Sequence, residues 1–162
     1  MKTFIGWFIG WPERTARYFA WLGPLVARIT VGWVFALSGW GKLHNLPLVI
    51  TNFRESWGIP YPEILAPFVS GIEFFGGLFL LAGFLTRISA GALGVTMIVA
   101  IRAAQWADVD SFDTLLGLEE FMYLALFLWL AIAGPGALSL DCILQRSFGD
   151  KRRDALRGGP MR

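Results

Sequence analysis

The chain has 162 residues, of which 56% are hydrophobic and only 16% charged, with eight Trp, fourteen Phe and a net charge of +2. Soluble domains average about 25% charged residues, so this balance and a mean hydropathy of +0.57 exclude a core-rich soluble domain and indicate an integral membrane protein. The single cysteine, Cys142, excludes an internal disulfide or a CxxC redox centre and reads as a structural thiol near the interface.

Residues 1–21 precede the first long apolar run. The opening stretch is too short and lacks a small-x-small site, so it is a poor signal peptide. Phe4, Ile5, Trp7, Phe8 and Trp11 instead suggest an interfacial segment lying on the membrane. The first span is expected over about Leu22–Gly41, with Pro24 in its first turn. The connection from Lys42 to Leu65 is unusually apolar and holds Pro47, Trp57-Gly58, Pro60 and Pro62. A short helix over about Leu48–Ser56 is expected there, capping the bundle.

Spans two and three are expected over about Ala66–Phe84 and Thr86–Gln105, almost without a connection. An acidic loop with Asp108, Asp110 and Asp113 leads to a fourth span, about Leu118–Ala133, ended by Gly134-Pro135-Gly136. The runs are continuous and do not alternate, so nothing in them supports barrel strands. The expected fold is all-α: an integral membrane four-helix bundle over residues 22–144, between the interfacial segment 1–21 and a basic tail over 145–162.

With four spans both termini share one side. That side holds Lys2, Arg14, Arg17, Arg28, Arg87, Arg146, Lys151, Arg152, Arg153, Arg157 and Arg162, against Lys42, Arg54 and Arg102 on the other. The positive-inside rule puts both termini in the cytoplasm of a bacterial inner membrane, with the capping connection and the acidic loop in the periplasm. The basic tail suits anionic lipid headgroups, each charge contributing ~1 kcal/mol near the surface. Nucleic-acid binding is not expected.

Glu73 lies in the middle of the second span. A carboxylate at that depth costs ~2.5–3.5 kcal/mol on insertion scales, so it must face the bundle interior and find a cation or water. Arg28, Gly32, Phe35, Gly39 and Lys42 form one stripe of the first span. Glycines within it and at Gly77 permit close helix approach. At a rise of 1.5 Å per residue, Arg28 lies roughly 9 Å and Glu73 roughly 16 Å from the cytoplasmic plane, and Arg102 roughly 24 Å up. These depths predict an inner pair, Arg28 with Glu73, and an outer group of Arg102 with Glu119 or Glu120, which Lys42 is able to join. Either group is a register-fixing ion pair or the polar lining of a ligand cavity. Arg87, at a helix start, reads as a topology and packing residue. His44 is the only histidine and has no carboxylate at ligand spacing, so neither a metal nor a haem is expected.

Several of these positions form a pattern: Arg28-x3-Gly32, Gly39-x2-Lys42, Glu73-x2-Gly76-Gly77, Ala82-Gly83-x2-Thr86-Arg87, Met97, Ala100, and Gly134-Pro135-Gly136-x2-Ser139-Leu140-Asp141. The pattern, over about Leu22–Leu144, resembles the DoxX family. The resemblance implies a small four-helix bacterial membrane protein. It relates the chain to DoxD-type subunits of a thiosulfate:quinone oxidoreductase and to DoxX proteins that associate with thiol-stress and superoxide-defence enzymes. Arg28, Lys42, Glu73 and Arg87 are the polar positions that it carries over, with no cofactor ligand among them.

The leading functional expectation is a redox-associated membrane subunit that binds quinone. Arg28, Lys42 and Tyr123 would donate to the headgroup, Glu73 would relay protons, Arg102, Glu119 and Glu120 would add polar lining, and Trp33, Trp40, Phe74 and Phe75 would flank the ring. Electrons would come from substrate or from a soluble or membrane redox partner. Alternatives are a non-catalytic scaffold or chaperone that docks a partner through its tail, and a small-molecule or proton transporter. A homo-oligomer is compatible with each.

Overall fold

The computed structural model describes residues 15–147. The aromatic cluster at Phe4–Trp11 and most of the basic tail lie outside the described residues. Within them the chain is helical, without a strand. A short helical stretch at 15–19 precedes α1 (Leu22–His44). One residue later α2 (Leu46–Thr51) begins and runs without a break into a π-helical turn, Asn52–Ser56. This is the capping helix expected from the apolar connection.

α3 (Pro62–Ala82) starts on a proline, whose missing N–H is unneeded in a first turn, and stops at Gly83. α4 (Thr86–Ala100) continues into a second π-helical turn, Ile101–Gln105. α5 (Phe112–Gly117) is capped by Ser111, whose hydroxyl accepts from the Thr114 amide. α6 (Glu119–Ala133) follows, and residues 140–147 are again helical.

Among the described residues, three helices are long and apolar enough to cross a membrane: Leu22–His44, Pro62–Ala82 and Thr86–Gln105. The expected fourth span is shorter than the others. Its 15 residues rise only ~22 Å, against a hydrocarbon thickness of ~30 Å. Even so, Phe127 and Leu130 of α6 are fully buried in one core with Val31 and Phe35 of α1, Leu80 of α3 and Leu93 of α4. A second cluster joins Val49 and Phe53 of the capping segment to Ala66 of α3. The Arg54–Glu63 ion pair closes over it. That pair is exposed, so the apolar cluster is what holds the capping segment down.

Glycines bring α1 and α3 together until their backbones touch. A Cβ at Gly39 would lie 2.3 Å from the Phe74 amide nitrogen, and one at Gly77 would lie 2.4 Å from that of Ala36. Gly32 meets the Gly77 carbonyl in the same way, at 2.9 Å. These contacts set the register of two antiparallel helices: Gly32 stands opposite Gly77, and Gly39 opposite Ser70 and Phe74. Ser38 is therefore level with Glu73, and Arg28 with Gly83.

Gly77→Ala should lower the thermal stability of the detergent-purified protein, by about 1–3 kcal/mol if the helices part to accommodate the methyl. Gly91→Ala, where a Cβ would meet nothing within 4 Å, should leave the melting temperature unchanged or slightly raised. Equal melting temperatures for both variants would contradict the backbone contact.

Candidate functional site

The interior acid is paired, but with a different cation from the one its depth suggested. Glu73 is 3% exposed. Lys42 Nζ lies 2.6 Å from both carboxylate oxygens, and Ser38 Oγ donates to Oε2 at 3.2 Å. Ser38 and Lys42 are four residues apart, so both reach Glu73 from one face of α1. The predicted Arg28–Glu73 pair is not formed. Counting depth along each helix puts the cytoplasmic ends of α1 and α3 in one plane, whereas the glycine contacts shift them by about five residues, ~7 Å. Arg28 is thereby ten residues from the level of Glu73. Lys42, which was able to join the outer group, pairs with Glu73 instead.

Arg28 is 1% exposed and donates through Nη2 to the Leu138 carbonyl. Its Nη1 lies against Gly83, where a Cβ would approach it to 1.9 Å. Gly83 also has φ +67°, so glycine is required there on two counts. Asp141 completes the arrangement. Its carboxylate accepts from the Leu85 and Thr86 amides at 2.8 and 2.9 Å, and its own amide donates to the Gly83 carbonyl. The segment after Gly134-Pro135-Gly136 thus caps the start of α4 and holds the end of α3. Arg28 belongs to this clasp. Arg87 lies nearby and donates to the Ala131 carbonyl at 3.2 Å.

The outer group also differs from expectation. Arg102 is exposed and sits over the Trp106 ring at 5.5 Å, a cation–π contact. It pairs with neither Glu119 nor Glu120. Glu119 is exposed, and Glu120 accepts from Gln105 Nε2 at 3.3 Å. The expectation carried the α-helical period through residue 105. The π turn at Ile101–Gln105 has the wider i→i+5 spacing, which redirects these side chains.

Beneath the capping segment lies a cavity of about 610 Å³ between α3 and α4. That is the size range of small-molecule sites. Its walls are apolar except for Lys42, Glu73, Thr96, Gln105 and Glu120. Ala92, Ala100, Ala103 and Ala104 leave the room, and both π turns border it. Of the expected ligand-binding residues, Lys42, Glu73 and Glu120 line this space. Arg28, Arg102, Glu119 and Tyr123 do not. Tyr123 packs edge-on against Phe35, with centroids 5.3 Å apart.

The expected ring-flanking aromatics are also elsewhere. Trp33, Trp40 and Phe75 are exposed on the outer surface, and Phe74 packs against Trp40. The cavity's aromatics are Phe53, Trp57 and Phe68. Phe53 and Trp57 come from the apolar connection, whose composition was the available signal. Gln105 and Thr96 were missed because neither carries a charge.

A family model described as DoxX matches residues 23–106. The chain is 35% identical to "Inner membrane protein YqjF" of Escherichia coli (strain K12) over 129 residues, 78% of this chain and 95% of that protein. It is 30% identical to "Putative oxidoreductase CatD" of Bacillus subtilis (strain 168) over 122 residues, 74% of this chain and 85% of that protein. No solved structure matches the chain.

The geometry predicts strong coupling between Lys42 and Glu73 and none between Arg28 and Glu73. In double-mutant cycles followed by denaturant unfolding in detergent, Lys42→Met with Glu73→Gln should deviate from additivity by about 0.5–3 kcal/mol. Arg28→Met with Glu73→Gln should be additive within about 0.5 kcal/mol. The reverse pattern would restore the pairing drawn from helix depth.

Proposed function

The chain belongs to the DoxX family, and from that premise we propose that it is a redox-associated subunit of the bacterial inner membrane whose cavity beside Lys42 and Glu73 binds a quinone. The observation that carries this reading is a cation, paired with Glu73, in the wall of a largely apolar, ligand-sized cavity. An ammonium has three donors, and two are directed to the oxygens of Glu73. The third is left to hold a carbonyl oxygen in the cavity, while Glu73 neutralises the charge and stands ready to exchange a proton. Phe53, Trp57 and Phe68 supply apolar surface for a ring and its tail.

The names of the two relatives support the setting: one is called an inner membrane protein, the other a putative oxidoreductase. In this reading α6 completes a four-helix transmembrane bundle, its short length met by local thinning of the bilayer. Both termini face the cytoplasm, as the distribution of Lys and Arg favours. Cys142 is the one cysteine, so electrons pass to or from the quinone by way of a substrate or a partner protein.

Titrating the nanodisc-reconstituted protein with a short-chain benzoquinone should quench the fluorescence of Trp57 saturably, with Trp57→Phe identifying that signal among the eight tryptophans. Lys42→Met should weaken binding about tenfold or more, the usual effect of losing a hydrogen bond to a charged group. Ala103→Phe should fill the cavity and abolish saturation. Absence of saturable quenching in the unmodified protein would refute the proposal.

A further inference from the structure

We infer that the cavity opens sideways into the hydrocarbon of the bilayer, so that its ligand is a long-tailed quinone that enters from the membrane and leaves its tail there; the inference rests on the cavity being a quinone site. Two helix faces border the opening. Leu65, Phe68 and Ile72 of α3 line the cavity at offsets 0, 3 and 7, and Ala92, Val95 and Val99 of α4 line it at the same offsets. Each set is one face of its helix. The cavity is therefore a cleft between α3 and α4.

The cleft is closed at one end and covered at the other. Next to the turn at Gly83, the Leu93 side chain rests on Gly76, where a Cβ would come within 3.1 Å of it. At the far end Phe53, Trp57 and Ile59 border the cavity, and Phe53 is held in the apolar cluster with Val49 and Ala66. The side between these ends is open. Phe68 is 62% exposed, Val95 59% and Val99 46%, although all three line the cavity. Phe75, two turns along α3 from Phe68, and Ile98, next to Val99, are also exposed and lie outside the cavity. The outer surface of the bundle thus begins at this rim.

The rim lies at the depth of acyl chains. Val95 and Val99 are nine and thirteen residues past the start of α4 at Thr86, ~13 and ~20 Å along it. Phe68 is six residues inside the start of α3 at Pro62, ~9 Å along that helix. All three fall within a hydrocarbon layer of ~30 Å. None of them has a side-chain group for water to bond, and Lys42 and Glu73 stand behind them in the wall. A ligand that crosses this rim has to be soluble in hydrocarbon. Once its ring has reached Lys42, a tail that passes out over Phe68, Val95 and Val99 stays in the solvent it came from, and the cavity need not enclose it.

The reconstituted full chain is titrated with three benzoquinones of one ring type: a short-chain one, one with an eighteen-carbon tail, and one whose eighteen-carbon tail ends in a bulky adamantyl group. Each is counted by its concentration in the lipid. The adamantyl compound should bind within about threefold of the plain long-tailed one, because the end of its tail lies in the bilayer. Val95→Trp and Val99→Trp, which add bulk at the rim, should each weaken the long-tailed quinone about tenfold or more. Rejection of either tailed compound while the short-chain quinone binds would overturn the inference and leave the quinone site standing. Unchanged binding of the long-tailed quinone by both rim variants would do the same. Failure of all three quinones to bind would overturn both. The comparison among ligands uses the unmodified protein, so it remains decisive if a rim variant fails to fold.

Discussion

Everything in this molecule depends on two helices whose backbones touch. In lipid there is no hydrophobic force to press helices together, and packing must come from close van der Waals fit. Gly32, Gly39 and Gly77 provide it by removing the side chains that would hold α1 and α3 apart. The contact is stiff, because amide and carbonyl atoms cannot rotate out of the way. It fixes the helices' relative height, and that height decides that Glu73 meets Ser38 and Lys42. Removing one partner of a buried ion pair is costly, so the glycines and the pair reinforce one arrangement.

The sequence was most informative where physics leaves little choice. Continuous apolar runs give the long helices, and the greasy connection with its three prolines gives the capping segment. An acid at mid-membrane must be paired, and Glu73 is. The identity of its partner was not legible, because that depends on helix offset and not on distance along either helix. The same glycines that were read as close-approach positions held the answer, but only once it was known which faced which. At the outer end the obstacle was different. Nothing in the sequence Ile101–Gln105 announces a π turn, and one such turn is enough to separate Arg102 from Glu119 and Glu120.

Where regular geometry is broken, the cavity is found. Both π turns border it, one in the capping segment and one at the end of α4. Turns of this kind recur at functional sites, and alanines in and next to the second one leave the space that larger side chains would fill. The polar residues that line it come from α1, α3, α4 and α6, so the space exists only in the assembled bundle. Arg28 serves at the opposite end, tying the chain after α6 to the turn between α3 and α4.

That tie has a consequence for how the molecule is made. The amides of Leu85 and Thr86 are capped by a carboxylate 56 and 55 residues further along the chain. A ribosome releases them long before Asp141 emerges. Until then the start of α4 has no partner from within its own protein, and the guanidinium of Arg28 has no Leu138 carbonyl to hold. The clasp around the turn between α3 and α4 therefore closes only after the segment that follows α6 has been made.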